Sequence, residues 1–560
     1  MGAKIRRFFL VTKINMIKKI GFKNYKAFIQ GEMEIKPLTF LVGANSVGKS
    51  SLIQLFLMLQ QTCVEAAPND KSTFKLNGKN VSLGENINLL KDKNKDNVFS
   101  LSFMLNQRDA KILVARSSFG YYSLIERIFM YTGPDIYLSL KNDEWKTNKD
   151  KFLELLAQAR KLNRGILPRL LDADDADRSY NELIDSYDFL YEIRKACRNI
   201  ENCELAFDFK YEGNANSKIS AISLTSVRLS VHGKIIVCLS FVGSGKNRHF
   251  TLLSSFFNEG KDFCNSSYNK QLSEVISKNS SNLFLLFDSV GFDFDILFYF
   301  RNKKSSIFLW LLMSFLKHAN KCLVSCFDEQ SVNYVSPLRA YPKRYYFLDR
   351  SHVSSSLDTL DGDSITEILK EKPDLRFHVN EWLKHFNLQI DVEAIEEIIH
   401  KLKVNQNGLE LDITDVGFGI SQVLPVIVQG FFARKDSITV IEQPEVHLHP
   451  KMQADLGDLF IDIALPKNGE GQRKMQKSLL VETHSEYLLK RIRRRIAMGE
   501  IKSSDVAIYV VESAKAPRRS VIRNLDIDST GSFEWPEEFY GGELLQDTIE
   551  YLKAQTKSKQ

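Results

Sequence analysis

No apolar run in this chain is long enough to cross a bilayer. The longest, Ile307 to Leu316, falls well below the ~20 residues a membrane helix needs, and it predicts a buried core helix instead. Near the start, the apolar stretch Phe8 to Val11 is too short for a secretory signal core, and no small-residue cleavage site follows. A cytoplasmic protein with no membrane partner is expected. Cysteine is sparse: Cys63, Cys197, Cys203, Cys238, Cys264, Cys322 and Cys326 form no paired CxxC units at metal-ligand spacing, which points to idle thiols in a reducing compartment. Charge of one sign is also scarce. A formal net charge of +7 permits nucleic-acid contact without arguing for it. Internal repeats are missing, and the only low-complexity tract is the lysine-rich tail.

What remains is an ordinary globular composition, 44% hydrophobic and 26% charged over 560 residues, enough for two to four domains. Short buried strands are expected at Met33 to Ile35 and Leu38 to Val42, followed by a helix over Lys49 to Thr62 whose Leu52, Leu55, Phe56 and Leu59 share a face. Further strands are expected at Val98 to Leu105 and Lys111 to Arg116. The middle of the chain changes character. Residues 151–200 read as helices, with Leu183, Tyr187, Leu190 and Ile193 on one stripe, and the alternation on either side of His232-Gly233 predicts a hairpin. Its acidic residues Asp172, Asp174, Asp175 and Asp177 lack the glycine and distal glutamate of a calcium loop and read as a solvated loop. Beyond Val332 an α/β rhythm returns: strands at Ile438 to Ile441, Leu479 to Val481 and Val506 to Val511, with helices over Met452 to Ile463 and from Ser485. The basic run Lys490 to Arg495 reads as a solvated helix face. The division expected is 1–117, 118–330 and 331–560.

Chemistry enters with Gly43-Ala44-Asn45-Ser46-Val47-Gly48-Lys49-Ser50, which matches GxxxxGK[ST] between an expected buried strand and an expected helix. Glycines let backbone N–H groups curl around phosphates, and the helix points its positive end at them. Lys49 would reach the outer phosphates of ATP and the Ser50 hydroxyl would ligate Mg²⁺. Gly43, Asn45, Ser46, Gly48, Lys49, Ser50 and Ser51 are therefore the nucleotide-binding candidates. Such a loop needs an acid at the end of a neighbouring strand. Glu442, closing the apolar run Ile438 to Ile441, is the candidate, holding Mg²⁺ through water. The two elements lie at opposite ends of the chain, so one site is expected from both ends with a large insertion between them.

Three more segments complete a pattern: Asn24-Tyr25-Lys26-Ala27-Phe28, Glu442-Gln443-Pro444-Glu445-Val446-His447-Leu448-His449-Pro450, and Val481-Glu482-Thr483-His484-Ser485. Together with the phosphate loop they resemble ABC/SMC-like ATPases, and more narrowly the OLD/PtuA branch, which includes the PtuA-like ATPases of Septu and retron anti-phage systems. The resemblance covers about residues 16–135 and 330–540. It implies an α/β fold: an ABC/SMC-type ATPase head assembled from the N- and C-terminal parts of the chain, with a mixed helical and β-hairpin insertion. It also implies that His484 is the switch histidine touching the γ-phosphate. Asp415 to Gln422 matches the signature segment, whose Gly419 and Ser421 would serve an ATP held by a second copy of the chain. Pro425 is expected to cost that helix at most one early hydrogen bond.

The chain departs from the family where the hydrolytic glutamate belongs, because Gln443 stands there. A glutamine can orient water but cannot take its proton, so slow turnover, or recruitment of Glu445 as base, is expected. His447 and His449 fall at the D-loop, and their HxH spacing lacks a third zinc ligand. The chain beyond His484 is too short for the Toprim nuclease of OLD relatives. The resemblance therefore implies a separate HNH nuclease partner (PtuB-like) and, in a retron, a reverse transcriptase with its RNA–DNA product. An ATP-gated scaffold that restrains a nuclease without hydrolysis stays open, as does a DNA-repair ATPase resembling RecF or SMC heads. Long heptads, the mark of SMC proteins, are absent from the middle block. Two elements keep open roles: the arginines of Ser336 to Arg344 reach phosphates or brace a loop, and Glu534-Trp535-Pro536 has no mechanism attached.

Overall fold

The computed structural model describes residues 17–130, 143–162, 176–197, 202–213, 220–242, 249–256, 281–287, 307–347, 357, 362–396, 398–514, 519–535, 549–551, 553 and 555. The expectations for residues 8–11, for Asp172, Asp174 and Asp175, and for Pro536 lie outside them.

The first part of the chain supplies β1 (Lys19–Tyr25), β2 (Phe28–Glu34), β3 (Leu38–Val42) and α1 (Lys49–Val64). Next come β4 (Phe99–Leu105), α2 (Gln107–Met130), α3 (Lys149–Leu162), α4 (Ala176–Ala196), β5 (Cys203–Gly213), β6 (Ser220–Val231), β7 (Lys234–Val242), β8 (His249–Leu253) and α5 (Ile307–Cys326). Then follow β9 (Val332–Val335), β10 (Tyr346–Phe347), α6 (Asp363–Glu371), α7 (Pro373–Leu383), β11 (Leu388–Ala394), β12 (Ile399–Gln406) and β13 (Leu409–Asp412). The chain continues through α8 (Phe418–Phe432), β14 (Ile438–Glu442), α9 (Pro450–Ala464), β15 (Ser478–Glu482), α10 (Glu486–Ala497), β16 (Val506–Ala514) and β17 (Arg519–Leu525). These elements form two compact units. One contains residues 65–76 and 84–325, the other residues 18–64, 77–83 and the chain from 326 onward. The expected first segment, 1–117, is divided between them.

The first unit pairs β4 to β8 in sequence order, antiparallel throughout. Strand β4, FSLSFML, alternates buried and half-buried positions, the period-2 signature of a strand with one covered face. The expected hairpin is present: β6 turns into β7 at His232 and Gly233, both with positive φ, as a two-residue hairpin turn requires. The strand expected at Lys111 to Arg116 is instead part of α2. Asn106 caps that helix, its Oδ1 accepting from the Asp109 N–H at 2.9 Å, and Ala110, Leu113, Ser117, Tyr121 and Leu124 are all fully buried. That spacing is helical, and the run Ile112 to Val114 was too short to reveal it. On α4 the expected stripe Leu183, Tyr187, Leu190 and Ile193 is buried, with Tyr187 stacked on Phe152 at 4.1 Å. The apolar run of α5 is a core helix, as expected; Trp310 lies where a side chain on Gly120 would meet its ring at 2.6 Å.

In the second unit the strand order is β1-β2-β17-β16-β3-β15-β14-β9. Strand β3 pairs in parallel with β15 on one side and β16 on the other, and β14 joins β15 and β9, again in parallel. Strands β3 and β15 are buried at every position, and apart from Thr39, Ser478 and Glu482 their residues are apolar, as expected of parallel strands covered on both faces. The parallel sheet is thus built from both ends of the chain. A smaller sheet has the order β10-β12-β11, with β13 on β12. Helix α8 starts where the sequence suggests, but Pro425 is its eighth residue and not an early one. It removes an interior bond, the one that would reach the Ser421 carbonyl.

His318 on α5 generates a pH prediction for the first unit. Its Nδ1 stands 3.2 Å from Ser117 Oγ and 3.3 Å from Ser314 Oγ, and burial, reinforced by Lys321, pushes its pKa down to about 4. Between pH 6.5 and 4 the unfolded chain takes up a proton that the folded chain refuses. Its contribution is therefore complete above pH 6.5 and is lost as the pH falls toward 4, about 3 kcal/mol in all. Urea unfolding at pH 7 and 4.5 should show a shallower pH dependence for His318→Gln than for wild type; equal slopes would contradict this account.

Candidate functional site

The loop between β3 and α1 leaves the sheet through Gly43, whose φ is +139° and where a Cβ would stand 2.2 Å from the Val511 carbonyl oxygen. Only glycine fits there. Gly48, at φ +115°, lies against the Phe28 ring. Two bonds hold the loop: the Ser520 hydroxyl donates to the Val47 carbonyl and the Tyr25 hydroxyl to the Ser51 carbonyl at 3.0 Å. Asn45, Ser46 and Ser50 are exposed, while Lys49 is 4% exposed. Its Nζ donates to the carbonyls of Gly43 at 3.0 Å and Ala44 at 2.7 Å. Burial lowers the Lys49 pKa, and Glu482 and Glu445 oppose that shift.

Two acids face one another at the same sheet edge. Glu442 ends β14 and Glu482 ends β15, and they are register partners. Tyr334 on β9 donates its hydroxyl to Glu442 Oε1 at 2.7 Å; burial raises the Glu442 pKa and this bond opposes it. Glu482 is 3% exposed. Its Oε1 lies 3.8 Å from Lys49 Nζ, Ser50 donates a side-chain hydrogen bond to it, and its Oε2 is buried without a partner. Burial pushes Glu482 up to about 7, with Glu442 acting in the same direction and Lys49 against it. No role for Glu482 follows from the sequence motifs alone. Its signal was available: it closes a buried apolar strand just as Glu442 does.

Gln443 follows in the left-handed region at φ +46°, its N–H bonded to the Glu482 carbonyl at 2.8 Å. Arg339, 6% exposed, fixes the other side of this turn. It donates to the carbonyls of Glu442 at 2.9 Å, Gln443 at 3.1 Å and Gln422 at 3.3 Å. Burial lowers its pKa to about 10, with Glu445 opposing. Of the two readings for this segment, Arg339 therefore takes the structural one, and Arg344 pairs with Asp415 at 3.1 Å. Glu445 has both oxygens engaged: Thr483 Oγ1 donates to one at 2.9 Å and the His484 N–H to the other at 2.6 Å. It braces the turn that carries His484. The His484 Nε2 is buried without a partner, and burial, aided by Lys49, lowers its pKa. Bonds and charges thus gather Lys49, Ser50, Glu442, Gln443, Glu445, Glu482 and His484 into one cluster.

The signature candidates belong to a different element, α8. Gly419 has to be small, because a Cβ would stand 3.0 Å from the His447 carbonyl oxygen, and Ser421 is buried. His449 caps α9, its Nδ1 accepting from the Lys451 N–H at 3.3 Å, so the HxH pair has a structural use. Among the described residues no group of three or more His, Cys, Asp or Glu could hold a metal. The basic run is not simply a solvated face. Arg491 pairs with Asp455 at 3.0 Å and Arg495 with Asp458 at 2.7 Å, because residues four apart on α10 both face α9. Arg493 lies over Phe533 and Trp535 at 5.0 and 5.5 Å, which gives the C-terminal tryptophan a mechanical role.

Residues 16–489 match the family model described as AAA ATPase domain. No curated protein matches the chain. Among solved structures, an SMC head bound to the C-terminal winged-helix domain of ScpA is 9% identical with a TM-score of 0.37, covering 91% of this chain and 98% of that one. The SMC head domain from Thermotoga maritima is 8% identical with a TM-score of 0.33, covering 91% and 100%. An SMC head with an extended coiled coil, bound to the C-terminal domain of ScpA from Pyrococcus furiosus, is 11% identical with a TM-score of 0.32, covering 96% and 99%.

The Arg339 latch can be tested directly. Arg339→Met keeps the bulk but leaves three carbonyls without its donors and Glu445 without a nearby cation. A loss of about 3 kcal/mol is expected, read from the urea midpoint. A change within 0.5 kcal/mol, the ordinary range for a surface substitution, would show that the latch holds nothing.

Proposed function

The chain belongs to the AAA ATPase domain family, and from that membership we propose that it binds ATP with Mg²⁺ at the cluster around Lys49 and turns it over slowly. The observation that carries this reading is the pair of orphaned buried atoms, Glu482 Oε2 and His484 Nε2, one on the acid 3.8 Å from Lys49 and the other two residues further along the chain. A buried polar atom without a partner is uncommon in a native fold; a bound cation would meet the carboxylate oxygen, and a phosphate oxygen would accept from the imidazole N–H. The residues fit the ion: Ser50 offers a hydroxyl and Glu442 a carboxylate, and Mg²⁺ there would neutralise charge on the phosphate oxygens.

The roles follow from chemistry. Lys49 exchanges its carbonyl partners Gly43 and Ala44 for phosphate oxygens. Gly43, Asn45, Ser46, Gly48 and Ser51 line the phosphates with backbone and hydroxyl donors. Gln443, its backbone fixed on both sides, presents an amide that orients water and takes no proton. Glu445 is a positioning residue: it holds the His484 turn, and His484 in turn meets the outer phosphate. Gly419 and Ser421 serve the ATP of a second copy of this chain, so the active form is a dimer or larger assembly.

The cellular role is the narrower step. The motifs resemble PtuA-like ATPases, and on that resemblance the protein is the ATPase component of a bacterial antiviral system controlling a separate HNH nuclease. In a retron setting a reverse transcriptase and its RNA–DNA product join it. One observation favours a second reading: Gln443 in the place of the hydrolytic acid suits a scaffold that holds ATP and is released when nucleotide or nucleic acid changes. A DNA-repair ATPase would share the same head chemistry.

Steady-state phosphate release by the full chain separates the enzyme from the scaffold. Wild type is expected to exceed Lys49→Ala, which should lose at least tenfold in ATP affinity and all turnover. Wild type that binds ATP yet releases no more phosphate than Lys49→Ala would establish the scaffold, and absence of ATP binding would defeat both.

A further inference from the structure

Building on the ATPase reading, we propose that Glu482 is a second carboxylate of the magnesium site, acting on the ion together with Ser50 and Glu442.

Placement is the first argument. Strand β15 lies between the phosphate-loop strand β3 and the acid strand β14. Its last residue therefore stands between Ser50, whose side chain donates to it, and Glu442, its register partner. The second is the unbonded oxygen. Glu482 is 3% exposed and its Oε2 has no partner. A carboxylate taken from water without its hydrogen bonds is strongly disfavoured unless a cation compensates it.

The third argument is charge. Glu482 stands within reach of the charges of Glu442 and Glu445, and the cations coupled to these acids are Lys49 and Arg339. Both cations direct their donors at backbone carbonyls: Lys49 at Gly43 and Ala44, Arg339 at Glu442, Gln443 and Gln422. Lys49 approaches Glu482 only to 3.8 Å, an ion pair without a hydrogen bond. The cluster thus holds more acids than cations, and full ionisation would leave it with surplus negative charge. A divalent cation removes it, and Mg²⁺ is commonly held by one or two carboxylates completed by substrate phosphates, with no full protein cage.

The competing account makes Glu482 only the counter-ion of Lys49, and a metal-binding measurement separates the two. Mn²⁺, as a probe for Mg²⁺, is titrated by electron paramagnetic resonance into the full chain loaded with a non-hydrolysable ATP analogue. Analogue affinity is also measured in EDTA. Glu482→Gln should weaken Mn²⁺ binding about 10- to 100-fold, while analogue affinity in EDTA is kept or improved, since a charge repelling the phosphates is gone. Glu482→Asp, with the charge on a shorter arm, should fall between the two and serves if the glutamine variant does not fold. Mn²⁺ affinity within twofold of wild type in either folded variant overturns the proposal while leaving the ATPase reading intact. Failure of wild type to bind the analogue at all overturns both.

Discussion

The pairing of β3 with β15 and β16 is the constraint on which the second unit depends. Neither neighbour is close in sequence, yet β3 bonds to both along its length, and the Thr483 N–H reaches the Leu41 carbonyl at 3.1 Å. The phosphate loop has no fixed exit direction until the last third of the chain has folded around it. Gly43 shows the dependence most clearly, since the atom that forbids a side chain there is a carbonyl of β16. Closing so long a loop costs entropy that grows only slowly with its length. A large insertion between the halves is therefore tolerable, provided that the joint itself is buried and fully hydrogen-bonded.

The joint also explains where the chemistry sits. Parallel strands end together, and in open α/β sheets ligand groups collect beyond their carboxyl ends. Here Lys49, Glu442 and Glu482 follow from the ends of β3, β14 and β15. The same geometry places several charges in one poorly solvated pocket, and the surrounding bonds manage that load. Tyr334 takes one oxygen of Glu442, Thr483 and the His484 backbone take both oxygens of Glu445, and Arg339 secures the carbonyls of the turn. Glu482 keeps one buried oxygen without a bond.

Much of this was legible from residues alone, because the legible parts obey local rules. A glycine-rich loop between an apolar strand and a helix, an acid closing a second strand, and a hairpin marked by His232-Gly233 each carry their signal within a dozen residues. What escaped depends on distant partners. Arg339 lay in a segment whose arginines suited phosphate or loop equally well; only its three carbonyl partners decide between them. The arginines of α10 read as a solvated face because Asp455 and Asp458 belong to another helix. The stretch Lys111 to Arg116 offered a short apolar run that fits strand and helix alike, and its true period shows only across the whole of α2. Glu482 was overlooked because the familiar pattern reserves the acid for the Glu442 strand.

That oversight bears on Gln443. Viewed alone, glutamine in the hydrolytic position is a loss of function. In the folded site its turn adjoins three acids against two cations, and its N–H is bonded to the Glu482 carbonyl. A fourth carboxylate at 443 would deepen a negative surplus that burial already makes costly. Glutamine keeps the shape and the hydrogen-bonding reach of glutamate without the charge. The acid at 482 and the amide at 443 are best understood together, with the site's negative charge moved from the strand that carries Glu442 to the strand that touches Ser50.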